Sequence, residues 1–150
     1  MKTYKYLTIF LIALLFSSCA LKPIVSEYNY LKTNTDKVDI NKLGNGTVLI
    51  YNGADIFHKI DNTARLNVWI DDKALGQIKP REYVIINLNN GNYQFKALHI
   101  DVVKFKSTHS VEIDSTTKII KIKPSITSNK LTITNEFPRK FEKYKHAVKN

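Results

Sequence analysis

Residues 83–95 read YVIINLNNGNYQF, two apolar runs separated by a polar turn. The first run, YVIINL, is rich in the β-branched and aromatic residues that are typical of strands. The second run alternates apolar Tyr93 and Phe95 with polar residues, as a strand with one solvent-facing side does. Asn90-Gly91 can supply the positive φ angles that a type I′ turn needs. The stretch therefore predicts two strands joined as a β-hairpin.

The same pattern of short strands and turns extends on both sides of this stretch. Residues 71–73 read DDK and predict a tight reversal between two strands, and residues 44–46 read GNG and mark the start of the folded domain. Seven or more short strands at near-regular spacing predict an all-β, antiparallel sandwich over residues 44–134. The further strands are predicted at 47–51, 66–70, 75–78, 103–107, 111–113, 119–123 and 131–134.

Residues 1–18 have the three parts of a secretory signal peptide. Lys2 and Lys5 make this segment basic, residues 7–16 are apolar, and small residues precede Cys19. The apolar run is far shorter than the ~20 residues that a membrane-spanning helix needs. The ending Leu-Phe-Ser-Ser-Cys resembles the bacterial lipobox, whose cysteine receives a diacylglycerol before cleavage. This resemblance implies a lipoprotein signal peptide over residues 1–18 and lipidation at Cys19.

Cys19 is the only cysteine of the chain, which excludes a disulfide within it. A free thiol in an uncleaved helix is the alternative to a lipid. No aspartate follows at the second mature position, which is similar to the sorting pattern of lipoproteins delivered to the outer membrane. We therefore expect an exported protein on the periplasmic face of that membrane. Residues 19–43, with Pro23 and many polar side chains, are expected to be a tether between the lipid and the domain.

The chain is strongly basic, with 23 Lys and Arg against 13 Asp and Glu and a formal net charge of +10. Such a balance favours anionic neighbours. No nucleic-acid-binding motif accompanies the charge, so we expect no nucleic-acid partner. The expected partners are the membrane, through the lipid on Cys19, and either an envelope protein or an anionic glycopolymer. A solvated, lysine-rich surface without any partner is the plainer alternative.

Residues 135–150 differ from the rest of the sequence. Phe137, Phe141, Tyr144 and Val148 follow a helical spacing, and the basic residues around them are Arg139, Lys140, Lys143, Lys145 and Lys149. The pattern predicts a basic amphipathic C-terminal helix. This helix would pack on the sandwich or contact an anionic membrane.

Residues 68–78 read VWIDDKALGQI and lead through a second strand into residues 83–95. This order resembles the PEGA-type surface-layer domains and a related family of uncharacterised bacterial lipoproteins, in which an Asp-Gly-Lys hairpin precedes a hydrophobic strand and a Pro-Gly turn. Asp72 stands in place of the turn glycine, Asn90 in place of the proline, and residues 80–83 read PREY rather than Pro-Glu-Gly-Ala. The resemblance implies a small immunoglobulin- or transthyretin-like sandwich without known catalysis.

The sequence offers few groupings of reactive side chains. His99 and Asp101 share one face of a strand and could begin a metal site, but further ligands are missing. His109 and Ser110 are adjacent, so on a strand they point to opposite faces. No nucleophile elbow, phosphate-binding glycine loop or His-Glu-x-x-His motif occurs. We expect no catalytic, cofactor-binding or metal-binding residues, and no enzyme.

Aromatic side chains on a solvent-facing strand can stack on sugars. Trp69 lies opposite the apolar side of its strand, and Tyr83 and Tyr93 could join it as ligand contacts. Burial of Trp69 under another element is the alternative. The sequence predicts a lipid-anchored envelope β-sandwich with a non-catalytic binding or scaffolding role. The alternatives are binding of peptidoglycan or lipopolysaccharide and, third, an envelope hydrolase built on the histidines.

Overall fold

The structure, a computed structural model, describes residues 21–32, 38–54, 64–101 and 103–149. The predicted signal peptide and Cys19 lie outside the described residues. Within the described residues, two short 3-10 turns, Ile40–Lys42 and Phe141–Lys143, accompany nine strands. The strands are β1 Thr47–Asn52, β2 Leu66–Ile70, β3 Lys73–Ile78, β4 Glu82–Asn87, β5 Gly91–Ile100, β6 Lys104–Ile113, β7 Ile119–Ser125, β8 Ser128–Ile133 and β9 Lys145–His146.

The strands form two sheets, which confirms the predicted all-β sandwich. Sheet A has the order β8-β7-β1-β4-β9, and sheet B has the order β3-β2-β5-β6. Most neighbours are antiparallel, but β1 pairs with β7 and β4 pairs with β9 in parallel. The other five strand pairs are antiparallel, as the prediction of an antiparallel sandwich expects. In the two parallel pairs β7 runs in the same direction as β1, and β9 runs in the same direction as β4.

The stretch YVIINLNNGNYQF forms two strands, as predicted, but it is not a hairpin. β4 lies in sheet A beside β1, and β5 lies in sheet B between β2 and β6. The turn between them crosses from one sheet to the other, and Leu88 N donates to Gly46 O at 2.8 Å on the sheet A side. Each strand turns an apolar face to the same interior, Ile86 from β4 and Phe95 from β5. Burial of the apolar faces of β4 and β5 between the two sheets outweighs the preference of Asn90-Gly91 for a hairpin turn.

The hairpin predicted at residues 71–73 is confirmed. Asp71 and Asp72 have φ angles of 49° and 66°, and β2 pairs with β3 on either side of them. Positive φ at both central positions is the geometry of a type I′ turn, whose twist matches that of the strands.

The strands β1 and β4 of sheet A are buried on both faces. The inner face of sheet A meets sheet B in the main core, to which β1 contributes Val48 and Ile50. On the outer face, Leu49 and Ile85 pack with residues of the chain termini. Continuous apolar runs in β1 and β4 are the sequence signature of this two-sided burial. The terminal residues that cover the outer face are Leu31, Val38, Ile40, Leu43, Phe137, Phe141 and Tyr144.

The predicted C-terminal helix over residues 135–150 is wrong. This segment forms the second 3-10 turn and then β9, which pairs with the edge of β4. Phe137 and Phe141 stack with ring centroids 4.4 Å apart, and the Tyr144 ring contacts Tyr51 edge-on at 5.7 Å. An isolated helix of this length is marginal. The extended path instead pairs the backbone of β4 and buries the aromatic rings on sheet A.

Residues 21–32 lie against the sandwich, so the prediction of a free tether over residues 19–43 is wrong for this part. Glu27 N donates to Ala74 O at 2.9 Å on the edge of sheet B. Leu31 N donates to Ile85 O at 2.8 Å in sheet A. The segment therefore closes one open side of the sandwich by bonding to both sheets.

Tyr30 lies at the centre of this closure. Its phenol donates to Leu75 O at 2.5 Å and occupies the space above Gly76. Gly76 has a φ of +116°, and a Cβ there would lie 2.4 Å from Tyr30 Oη. Both the backbone conformation and the contact therefore require glycine.

We expect Gly76→Ala to lower the free energy of unfolding by about 2 to 4 kcal/mol, from backbone strain and the clash with Tyr30 Oη. The clash is separable from the strain in a Tyr30→Phe background, because the remaining ring carbon lies 3.8 Å from the added Cβ. Urea unfolding of the four proteins should show a smaller cost of Gly76→Ala when Tyr30 is Phe. Equal costs in both backgrounds would contradict the contact described here.

Candidate functional site

The side of the sandwich opposite the N-terminal segment lies between two edge strands. In the described residues β6 pairs only with β5, and β8 pairs only with β7. An edge strand presents backbone N–H and C=O groups that no sheet neighbour satisfies. A polar cluster closes one half of this side, and a groove opens in the other half.

Asn129 of β8 is the centre of the polar cluster and is 1% exposed. Its Nδ2 donates to Ala97 O at 3.0 Å and to Phe105 O at 3.1 Å. Its backbone N donates to Ser107 Oγ at 2.8 Å. These bonds join sheet A to two neighbouring strands of sheet B, because Ala97 belongs to β5 and the other two residues belong to β6.

Two of the histidines that the sequence singles out also bond to Asn129. His99 Nδ1 lies 2.8 Å from Asn129 Oδ1, and His109 Nε2 lies 2.6 Å from Asn129 O. His99 is 3% exposed, and the Phe105 ring stacks on it at 5.3 Å. Both rings therefore hold the two sheets together. The sequence gives no local signal for Asn129, since its role depends on contacts with strands about 20 to 30 positions away.

Asp101 does not join these histidines in a metal site. It lies at the turn between β5 and β6, where its backbone N donates to Val103 O at 3.1 Å. Within the described ranges of the chain, no three His, Cys, Asp or Glu side chains lie close enough to hold a metal ion together.

The groove occupies the other half of this side and has a volume of about 430 Å³. Val111 of β6 and Leu131 and Ile133 of β8 supply its apolar surface. Val111 is buried, whereas Ile133 is 40% exposed. Glu112 and Asp114 add negative charge to the lining. The groove thus combines apolar walls with an acidic rim.

Backbone groups of both walls face the groove. Asp71 N donates to Gln94 O, so Gln94 of β5 bonds toward β2, and its neighbours Tyr93 and Phe95 bond toward β6. Ser110 and Glu112 of β6 lie opposite Gln94 and Asn92 and therefore direct their backbone groups away from β5. Asn129 N and O bond across to β6, so Leu131 and Ile133 direct their backbone groups away from β7. Two free strand edges therefore line one apolar groove.

Asp114 is fixed as a charged group at the end of the groove. Its Oδ1 accepts bonds from N and Oγ1 of Thr116 at 2.8 Å each, and from N and Oγ1 of Thr117 at 2.8 and 2.9 Å. These bonds, with those from Thr116 foremost, hold the pKa of Asp114 below its usual value. The carboxylate therefore stays ionised at neutral pH.

The three predicted ligand-contact aromatics lie on three different surfaces. Trp69 is partly buried on the outer face of sheet B. Tyr83 is 8% exposed on the outer face of sheet A, with its ring 5.2 Å from Phe141. Tyr93 packs against the main core, and its hydroxyl donates to Asn89 O at 2.9 Å. The structure does not bring them together as one stacking platform.

Burial of tyrosines on sheet A has a clear electrostatic effect. Tyr51 is 4% exposed. Burial, with a smaller contribution from Tyr144, raises the pKa of Tyr51 to about 12. Its phenol is protonated at every physiological pH and serves as packing surface.

No family model, curated protein or solved structure matches this chain significantly. The resemblance to PEGA-type domains therefore stays a prediction. Among the described residues, no helix has the length and apolar character that crossing a bilayer requires.

We expect Asn129→Ala to lower the free energy of unfolding by about 2 to 4 kcal/mol, because it leaves Ala97 O, Phe105 O and His99 Nδ1 without this buried partner. Ser128→Ala, at the exposed start of the same strand, is the matched control. Chemical denaturation measures both. Equal stability of Asn129→Ala and the control would show that the cluster does not hold the sheets together.

Proposed function

We propose that the protein is a lipid-anchored domain of the cell envelope that binds a partner protein and is not an enzyme. The bound element is an extended segment of the partner, taken into the groove between β6 and β8. One observation carries this proposal: two free strand edges face each other across an apolar groove. An extended segment there would satisfy backbone groups that the sheets leave free.

The chemistry of the groove favours a polypeptide ligand. Strand addition gains affinity from main-chain hydrogen bonds and specificity from pockets for alternate side chains. Val111, Leu131 and Ile133 provide apolar contacts for such side chains. Glu112 and Asp114 favour a segment that carries Lys or Arg beside its apolar residues.

The histidine cluster supports a binding role over hydrolysis. A hydrolase would need a histidine free to exchange protons with a substrate. His109 Nε2 is engaged with Asn129 O, and His99 is buried behind Phe105. Both groups are used in joining the sheets.

The anchor is the lipid on Cys19, at the end of the signal peptide over residues 1–18. Cys19 precedes Leu21 by two residues, and Gln77 Nε2 donates to Leu21 O at 3.1 Å. A lipid on Cys19 would therefore hold the sandwich close to a membrane, with the outer membrane, periplasmic side, as the expected location.

We expect the protein extracted from membranes to have a mass equal to residues 19–150 plus the acyl groups on Cys19. In Cys19→Ala the acyl mass should be absent, because the sulfur that accepts diacylglycerol is missing. Intact-mass analysis of both proteins tests the anchor. An unmodified wild-type chain would refute it.

We expect a photoreactive amino acid at Thr132, in the groove, to cross-link a distinct partner in cells. Thr108, exposed on the outer face of β6, is the control position and should give no such product. Equal products at both positions would contradict binding in the groove.

Ile133→Glu should reduce the Thr132 product about tenfold, since it replaces the apolar contact at position 133 with a carboxylate that a bound segment would desolvate against its apolar side chains. Val25→Glu is the matched control, because Val25 is 69% exposed and lies on the N-terminal segment. A Thr132 product that Ile133→Glu leaves unchanged would place the partner elsewhere.

A further inference from the structure

Strand direction gives the sandwich two chemically different ends. β1, β3, β5 and β7 finish at one end, and β2, β4, β6 and β8 begin there. Within the described ranges, basic residues are concentrated at this end, hereafter the basic end, beside the carboxylates of Glu82 and Asp101. The described basic residues there are Arg65, Lys79, Arg81, Lys104, Lys106, Lys123, Lys130 and Lys145.

The opposite end is mainly acidic. The turn between β2 and β3 and the end of β6 place Asp71, Asp72, Glu112 and Asp114 there. Lys73 and Lys118 are at this end as well, and Lys96 pairs with Asp72, but the carboxylates outnumber these lysines. The charge of the described residues is therefore polarised along the strands, with the groove at the acidic end.

Two exposed aliphatic side chains stand at the tips of the basic end. Val103 is 55% exposed in the turn between β5 and β6, and Ile126 is 71% exposed in the turn between β7 and β8. Lys104 and Lys106 follow the first tip, and Lys123 precedes the second. Exposed aliphatic tips with lysines behind them match the boundary between lipid headgroups and acyl chains.

The N-terminal segment reaches this same end. Gln77 Nε2 donates to Leu21 O at 3.1 Å, and Asn67 Nδ2 donates to Lys22 O at 2.8 Å. Asn67 lies one position from the start of β2, which is at the basic end. By chain length, Cys19 can lie no more than about 7 Å from Leu21. A lipid on Cys19 would therefore leave the domain near the basic end.

We propose that the basic end rests on the surface of an anionic phospholipid membrane, with the tips at Val103 and Ile126 in contact with it. This inference rests on the proposed lipid anchor at Cys19. The ten residues of β5 place the acidic end, with its groove, about 30 Å from the membrane surface. The groove then opens away from the bilayer, toward the partner.

The test uses the acylated protein, purified from membranes and reconstituted into vesicles of phosphatidylethanolamine and phosphatidylglycerol. A fluorophore is attached to Val103→Cys, Ile126→Cys or Asn90→Cys, since an acylated Cys19 has no free thiol. Asn90 is exposed at the acidic end and serves as the control. Lipids with a nitroxide on the headgroup should quench the labels at positions 103 and 126 strongly and the label at 90 weakly.

Charge reversal tests whether the lysines of the basic end attract the domain to anionic lipid headgroups. Each of Lys104→Glu and Lys106→Glu should lower the ratio of docked to undocked protein about fivefold, as reported by the label at position 126. Lys73→Glu makes the same charge change at the acidic end and should leave the ratio unchanged. Vesicles of phosphatidylcholine alone should give weak quenching with every variant.

The outcomes separate this inference from the anchor. Equal quenching at all three positions, with the protein still floating on the vesicles, overturns the docking and leaves the anchor in place. Protein that does not float overturns the anchor and the docking together. A label at Val103 that responds to soluble peptidoglycan fragments and not to vesicles assigns the basic end to a glycopolymer and overturns the membrane proposal.

Discussion

Among the described residues the two sheets share no strand, so beyond the apolar core they are joined by polar contacts that cross the two open sides of the sandwich. On one side Tyr30 donates to Leu75 O, and on the other Asn129 donates to Ala97 O and Phe105 O. All three acceptors are backbone carbonyls of sheet B. A buried carbonyl without a partner costs about 1–3 kcal/mol, so each contact holds the sheets at a defined distance. The groove exists where β6 and β8 extend beyond the reach of Asn129.

The strands could be predicted from the sequence, but the sheet to which each belongs could not. Asn90-Gly91 has the chemistry of a hairpin turn and yet connects β4 in one sheet to β5 in the other. Local turn propensity does not depend on which strand becomes the neighbour. The runs on either side do carry a signal: β4 is continuously apolar, whereas β5 alternates. That contrast corresponds to burial of both faces in sheet A and of one face in sheet B.

The two terminal segments differ from the prediction for the same physical reason, since their structure depends on partners distant along the chain. Phe137, Phe141 and Tyr144 have helical spacing, and residues 19–43 have the composition of a linker. Both segments instead bond along the edge of β4 and cover the apolar outer face of sheet A. These surfaces exist only in the folded sandwich. The candidate site follows the same rule. Its histidines could be noticed in the sequence, but Asn129 and the groove arise from strands distant along the chain.

Charge polarity also arises from topology. A net charge of +10 says nothing about position, and Lys79, Lys104 and Lys123 are far apart in the sequence. Because successive strands reverse direction, every second turn returns to the same end, and these turns carry the lysines. On a long flexible tether the domain would rotate freely, and its charge polarity would not hold one end toward the membrane. The bonds to Leu21 O and Lys22 O shorten the connection to Cys19 and remove much of that freedom. If Cys19 carries a lipid, the same charges would fix the orientation of the domain on the membrane, with the groove directed away from the bilayer.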